Sequence, residues 1–363
     1  MIRRLFAIGL LLILALSAGD ALAQRKSKSY LKKKSRQASR YTTGSIHFDR
    51  NKQYLAVGFN LNAMNYLGDI VPESSTASTD ISLTRPGAGV FAYYRFHPNM
   101  FMRTAFNWGR IQGDDFVSAD PTGELSRYRY VRNNHFRNDI KELSLTFNWD
   151  ILGNHGTFLN RVRFTPYLFG GVAGFHHNPK AKAPPIDKFG NPLPEAGKWV
   201  ALRPLGTEGQ NSPAYNVKQY SNFQIAFPAG IGIRALLNKR MDLEFEIGYR
   251  FLLTDYLDDV SGLYVDLGSF GTNELAKSMS DRTMEQNAAV SGKPRDFAAI
   301  NSTASLYTYT SQFDGQQYTT YRGYGHEHPD NVRGARGNND TYIMTSLKLV
   351  YILTGKFQRA KFR

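Results

Sequence analysis

The sequence predicts an all-β protein, an eight-stranded antiparallel transmembrane β-barrel of the outer-membrane type with long extracellular loops. Three observations predict it: a secretory leader, eight segments of about a dozen residues that alternate apolar with polar or small side chains, and connections that alternate between short and long.

The leader sets the compartment. Met1 to Ala23 carries Arg3 and Arg4, an apolar run from Leu5 to Leu16, and a small-residue exit at Ala21-Leu22-Ala23, the pattern of a signal-peptidase site. Cleavage before Gln24 is expected. The run is shorter than the roughly 20 residues a spanning helix needs, and no other stretch approaches that length without charges. With no cysteine, disulfides, thiolate metal sites and a lipidated-cysteine anchor are not expected.

Composition fits a barrel. The 363 residues include 21 Tyr, 24 Phe and 32 Gly, and the mean hydropathy is negative, whereas a helical membrane protein would be far more apolar. A net charge of +15 would ordinarily suggest nucleic acid. Here eight of the cations, Arg25, Lys26, Lys28, Lys32, Lys33, Lys34, Arg36 and Arg40, lie in a 17-residue acid-free stretch. An exported protein meets little nucleic acid, so none is expected as a partner. The stretch reads as a solvated arm that could meet acidic protein or anionic lipid.

The strands follow in order. Tyr54 to Asn65 sets Leu55, Val57, Phe59, Leu61 and Ala63 against Ala56, Gly58, Asn60 and Asn62, one face for lipid and one for a lumen. Gly87 to Phe96 puts Ala88, Val90, Ala92, Tyr94 and Phe96 on one side. Met100 to Ile111 sets Met102, Thr104, Phe106 and Trp108 against Arg103, Ala105 and Asn107. Strict period two runs from Glu142 to Ile151, which no helix shows.

Phe164 to Phe175 is Gly-rich and apolar on both sides, so its orientation stays open. Phe223 to Ile233 alternates, with Pro228 predicting a local bulge. Asp242 to Phe251 aims Asp242, Glu244, Glu246 and Arg250 inward, where opposite charges can pair across a narrow lumen. Thr341 to Leu353 closes the sheet. An eight-stranded interior is filled by its own side chains, so a wide pore is not expected. Trp108 and Trp149 are expected as interfacial girdle aromatics.

Loop lengths give the topology. Short connections at His97–Asn99, Leu152–Arg163 and Ala235–Arg240 alternate with long ones at Tyr66–Pro86, Gln112–Asn138, His176–Tyr220 and Leu252–Asp340. Barrels of this class keep short turns and both termini in the periplasm. The expected organisation is a signal peptide at 1–23, a basic periplasmic tail at 24–50, and a barrel over 51–363 that includes the long fourth outer loop, 252–340. That loop is too long to be structureless; a short helix is expected within Asn273–Gln286 and hairpins within Thr303–Tyr324.

Several residues could carry chemistry. Barrel enzymes use a rim histidine within reach of a nucleophile or water, and the candidates are His135, His176, His177, His326 and His328. None sits in a recognisable arrangement, and surface histidines are the expected reading, with no catalytic residue assigned. Asp255, Asp258, Asp259 and Asp266 raise calcium, but their spacing matches no EF-hand loop. Turn capping through Asx-type bonds and pairing with rim arginines such as Arg250 fit better. No metal or cofactor is expected. Gly206-Thr207-Glu208-Gly209 lacks the Lys-Ser/Thr and helix of a phosphate cradle and reads as a turn.

Four loop motifs resemble the PorG-like outer-membrane proteins of the type IX secretion system: Asn65-Tyr66-Leu67-Gly68-Asp69, Phe175-His176-His177-Asn178-Pro179-Lys180-Ala181, Leu205-Gly206-Thr207-Glu208-Gly209-Gln210, and Thr254-Asp255-Tyr256-Leu257-Asp258-Asp259-Val260-Ser261-Gly262. Arg336-Gly337-Asn338 and Asp340-Thr341-Tyr342 precede the closing strand in the same pattern. The third and fourth loops are longer than is typical of that family, and the basic tail is not part of its pattern. The resemblance implies a non-catalytic barrel that associates with periplasmic ring proteins to support protein export and, in some bacteria, gliding. It makes the motif residues, from Tyr66 and Asp69 through His177, Asn178, Pro179 and Glu208 to Asp255, Tyr256, Asp258 and Asp259, the expected partner contacts. Tail docking falls to Lys32, Lys33, Lys34 and Arg36. The alternative is a free-standing barrel acting as an adhesin or envelope-stabilising protein. A third class, a rim enzyme acting on lipid, would need His176 or His326 for activity.

Overall fold

The computed structural model describes residues 52–70, 81–124, 126–335, 337 and 339–353. The leader, the tail with Lys32, Lys33, Lys34 and Arg36, and Arg336 and Asn338 lie outside them. Eight strands form the barrel wall: β1 Tyr54–Leu67, β2 Arg85–Arg95, β3 Met100–Asp114, β4 His135–Asp150, β5 Phe164–His176, β8 Phe223–Leu236, β9 Met241–Leu252 and β12 Thr341–Leu353. Each pairs antiparallel with its neighbour in chain order, β1 pairs with β12, and β3–β4 completes the ring. The sheet therefore has no free edge around the wall, the condition for crossing a bilayer with strands.

Side-chain alternation decides which face meets lipid. Phe59, Leu61, Val90, Leu143 and Ile231 are each more than half exposed, and they form an apolar outer band. No helix among the described residues is long and apolar enough to cross a membrane. A closed ring of eight strands with an apolar exterior is the build of an outer-membrane barrel. Trp149 at the short-turn end and Trp108 at the other are both about half exposed on the outer face, where girdle aromatics sit. The open orientation of β5 resolves, with Leu168 and Val172 outward and Tyr167, Phe169 and Ala173 buried.

The lumen is filled. Toward the short turns, Phe101 is surrounded by the guanidinium groups of Arg234 at 4.6 Å, Arg95 at 5.2 Å and Arg103 at 5.5 Å from its ring centre. These cations pair with carboxylates from other strands. Arg95 and Arg234 share Asp150, Arg234 also binds Glu244, and Arg103 with Lys348 binds Glu246. Tyr167 donates to Glu246 at 2.6 Å. Above them Arg250 and Tyr342 reach Glu142 at 3.4 and 2.6 Å, beside a layer of Asn60, Asn62 and Asn107. Low dielectric strengthens each pair, and satisfaction of the remaining lone pairs makes so much buried charge tolerable.

Three expectations need correction. Pro228 makes no bulge: bridges to β5 are missing at Phe227 and Pro228, yet the register is the same on both sides of the gap. Losing an N–H there interrupts the ladder without inserting a residue. Strands β3 and β4 run well past the predicted ends, because above the membrane the alternation continues with its phase inverted: Phe136 and Ile140 point inward while Arg137, Asp139 and Lys141 point outward. Two short strands, β6 Pro179–Lys182 and β7 Trp199–Ala201, extend the sheet beyond β4.

In the long loop, a helix at Glu274–Ser280 capped by Asn273 and a hairpin of β10 Leu306–Thr310 with β11 Gln317–Tyr321 stand where structure was expected. Helices at Ser126–Arg132 and Phe297–Thr303 pack on the same apolar cluster.

Candidate functional site: the loop cap over the barrel

At the long-loop end an apolar plug closes the lumen, built from Met64, Ile111, Phe136, Phe175, Leu257 and Val260 with their neighbours. The residues of the four motifs converge on top of it.

Tyr66, at the end of β1, is the centre. Its hydroxyl lies 2.7 Å from Asp258 Oδ2 and 2.6 Å from Asp340 Oδ1, and accepts from the Asp69 N–H at 3.1 Å. One phenol hydrogen cannot serve two carboxylates, so the second contact requires a proton on a carboxyl group. Burial, reinforced by neighbouring acids, holds Asp258 and Asp340 well above the usual carboxylate range, which is the condition for sharing that proton. The same two acids order the loop backbone: Asp258 accepts from Val260 N–H at 2.9 Å and Asp340 from Leu257 N–H at 2.8 Å.

Gly68 is required by close approach. A Cβ there would stand 2.0 Å from the Tyr66 hydroxyl and 2.1 Å from Asp340 Oδ1. Leu67, the last residue of β1, pairs with Thr341 across the closing seam.

The third motif clamps the other side. Gly206 and Gly209 take φ of +64° and +80°, which only glycine adopts easily. The turn they make presents Glu208, which accepts from the N–H groups of Ser261 at 2.9 Å and Gly262 at 3.0 Å and pairs with Arg333 at 3.0 Å. Asp259 accepts from Thr207 and from Tyr220. Asp255 accepts from Ser261 at 2.7 Å, and Asp266 caps Gly268. Tyr256 stacks on Tyr220 with ring centres 5.0 Å apart. Burial pushes Asp255 and Asp259 up to about 6.

Asx-type bonding of these acids is thus present, at Asp258 and Asp266. Pairing with Arg250 is not: Arg250 lies inside the lumen on Glu142. Among the described residues no cluster of three or more acids and histidines is arranged to hold a metal ion.

The second motif ties in from β5. His177 Nε2 lies 3.0 Å from the Ser221 carbonyl and Nδ1 3.3 Å from the Asn138 amide. Burial pushes the His177 ring down to about 4, so it is neutral and donates through Nε2. Asn178 N–H donates to Asn138 Oδ1 at 2.8 Å, and Pro179 pairs with Asn138 at the start of β6.

The other histidines are scattered. His135 accepts from Lys182 N–H, His176 sits edge-on to Phe223 on the outer wall, His326 packs on Tyr307, and His328 is exposed beside Asp330. Among the described residues no histidine nitrogen meets a serine or threonine hydroxyl.

Most motif side chains are therefore buried and engaged with one another: Tyr66, His177, Thr207, Glu208, Asp258 and Asp259 are all at most 3% exposed. Sequence reasoning missed Arg132, Asn138, Tyr220 and Arg333. Arg132 binds Asp115 through two 2.8 Å contacts and reaches the carbonyls of Asp69 and Arg333. Such residues are unremarkable in sequence; only the fold shows that they bridge segments from 39 to 201 positions apart.

A family model described as Domain of unknown function (DUF6089) matches residues 45–183, less than half of the chain. No curated protein sequence matches. Among solved structures the chain is similar to Neisserial surface protein A (NspA), at 7% identity over 82% of this chain and 96% of that one with a TM-score of 0.32. It is also similar to the outer membrane protein OprG from Pseudomonas aeruginosa, at 9% identity over 84% and 97% with a TM-score of 0.33. A third is Ail, the attachment invasion locus protein of Yersinia pestis, at 8% identity over 83% and 97% with a TM-score of 0.29.

Proposed function

We propose that this chain is a non-catalytic outer-membrane component of the type IX protein secretion machinery, oriented with both termini and the short turns in the periplasm. There the basic tail, through Lys32, Lys33, Lys34 and Arg36, docks on the secretion ring. The observation that supports this reading most is the convergence of the motifs. Tyr66, His177, Glu208, Asp258 and Asp259 belong to segments far apart in sequence, yet their side chains build one hydrogen-bonded cap. Resemblance in all four motifs is therefore resemblance in one built unit and not in four independent turns. A lumen packed with paired charges suits an anchor and scaffold better than a conduit. A buried, neutral His177 bonded to an amide and a carbonyl suits no acid–base role.

The test is a mild-detergent pull-down of the tagged mature chain from outer membranes, against a chain lacking residues 25–40. Ring proteins recovered with the full chain and lost on truncation would support both the role and the docking arm. Recovery of no ring protein by the full chain would overturn the secretion reading in favour of a free-standing adhesin or envelope-stabilising barrel.

A further inference from the structure

The outer wall changes character abruptly on one side of the barrel. Along the outward face of β4, Phe147, Leu145 and Leu143 give way to Lys141, Asp139 and Arg137. On β3, Phe106 and Trp108 give way to Arg110; on β5, Val172 gives way to His176. These changes are neighbours in the sheet: Trp108, Lys141, His176 and Phe223 follow one another through the strand register. At the corresponding end of β1 and β12 the outward positions are Asn65, Thr345 and Ile343, which carry no charge. The cations are thus a local feature, not a uniform rim.

Two details distinguish this wall from an ordinary solvated charge run. First, it is held rigid. The Arg137 guanidinium lies 4.1 Å over the Trp199 ring and its buried Nε has no hydrogen-bond partner among the described residues. Arg110 is fixed on Asp139 by contacts of 2.6 and 3.1 Å. Second, a cleft opens beside it between the ends of β5 and β8, lined by His176, Asn178, Arg203, Ser221, Asn222 and Phe223. Arg203 is anchored there through its Nε, which donates to the Tyr220 carbonyl at 2.6 Å, so its terminal amino groups remain for a ligand. Phe223 is 70% exposed at the cleft's lower edge, continuous with the lipid-facing band.

Arg203 in the cleft and Lys141 on the strand beside it, both next to an apolar wall, match a molecule with an anionic head and acyl chains. We propose that Lys141, His176 and Arg203, seated above Phe223, bind the phosphate of an outer-leaflet lipid headgroup, with the lipid's acyl chains lying on the wall below. Guanidinium and ammonium groups suit phosphate by charge and by hydrogen-bond geometry. The apolar continuation selects a lipid over a soluble phosphate.

The test uses the full mature chain in phosphate-free alkyl maltoside micelles doped with a phosphorylated lipid A or with its phosphate-free counterpart. Lipid retained on the released barrel is counted by native mass spectrometry. Retention of the phosphorylated lipid alone, unaffected by equimolar inorganic phosphate, is expected. Each cation near an anionic surface contributes roughly a factor of five in affinity, so Lys141→Gln with Arg203→Gln should weaken retention by about twenty-five-fold. Arg322→Gln in the long loop should not change it. Equal retention of the phosphate-free lipid, displacement by inorganic phosphate, or equal loss in the Arg322 variant would each overturn the proposal. The first two outcomes are read on the unaltered chain, so they stand even where the double variant fails to insert.

Discussion

Replacing Tyr66 with Phe removes one oxygen and its hydrogen from the centre of the cap. The ring can stay, edge-on to Phe136 at 4.8 Å, so the change is confined to hydrogen bonding. The hydroxyl serves Asp258 and Asp340 at 2.7 and 2.6 Å and accepts from Asp69 N–H at 3.1 Å. A charge-assisted hydrogen bond contributes about 1.5–3 kcal/mol and a neutral one about 0.5–1.5. Their loss should therefore favour opening of the cap by about 3 kcal/mol, roughly a hundredfold or more in the open population. Arg333 reports that opening. It is 3% exposed and pinned between Glu208 and the Asp259 carbonyl, whereas Arg322 in the same loop is exposed. Trypsin should cut after Arg333 about a hundred times faster in the variant, with cleavage after Arg322 unchanged, provided that reclosure outpaces cleavage. An unaltered ratio of the two cleavages would refute the idea that the shared proton and its phenol hold the loop.

Three further perturbations follow from the same geometry. Asp258 and Asp340 are held above the ordinary carboxylate range and Asp255 and Asp259 are pushed up to about 6. The closed cap thus holds protons on these acids that the open one gives up, so their contribution to its stability is full below about pH 4 and declines as pH rises through about 6, while the neutral His177, pushed down to about 4, works the other way only below about pH 6.5. Hydrogen exchange at Leu257 and Val260, corrected for intrinsic rates, should show faster opening at pH 8 than at pH 5. Asp340→Asn, which supplies its own donor to the Tyr66 oxygen, should flatten that dependence; an unchanged slope would count against proton sharing. Gly68→Ala places a methyl 2.0 Å from the Tyr66 hydroxyl, so the Arg333 cleavage should rise while the folded barrel still shows its heat-dependent shift on gels. Arg103→Met leaves Glu244 and Glu246 with Arg234 and Lys348 as their cations and Tyr167 as a neutral donor. It should lower unfolding stability in detergent by about 3 kcal/mol, the low end for breaking a buried pair.

The wall of the barrel was legible because lipid and lumen impose period two on every strand. Glu142 to Ile151 alternates without exception, and Asp242, Glu244, Glu246 and Arg250 point inward as their spacing requires. Legibility ended where the solvent changed. Between Ile140 and Leu143 the apolar residues switch from the inner to the outer face, which reads in sequence as a strand end although the backbone continues. β6 and β7, at four and three residues, are too short to show a period at all.

The cap was legible only as motifs. Nothing in Tyr66 or Asp340 alone announces a contact between residues 274 positions apart. Arg250 shows the opposite failure: its nearness in sequence to Asp255 and Asp258 suggested a pairing, but its strand phase sends it into the lumen and onto Glu142.

A barrel sealed by its own side chains and by the Tyr66 cap is the core of this account, and conductance tests it most directly. The purified chain inserted into a planar bilayer at neutral pH should give no steady ionic current, since Phe101 with its guanidinium neighbours and the Met64–Phe136–Leu257 plug each block the path. A stable open conductance from the unmodified chain would contradict the sealed barrel, and with it the reading of this protein as an anchor.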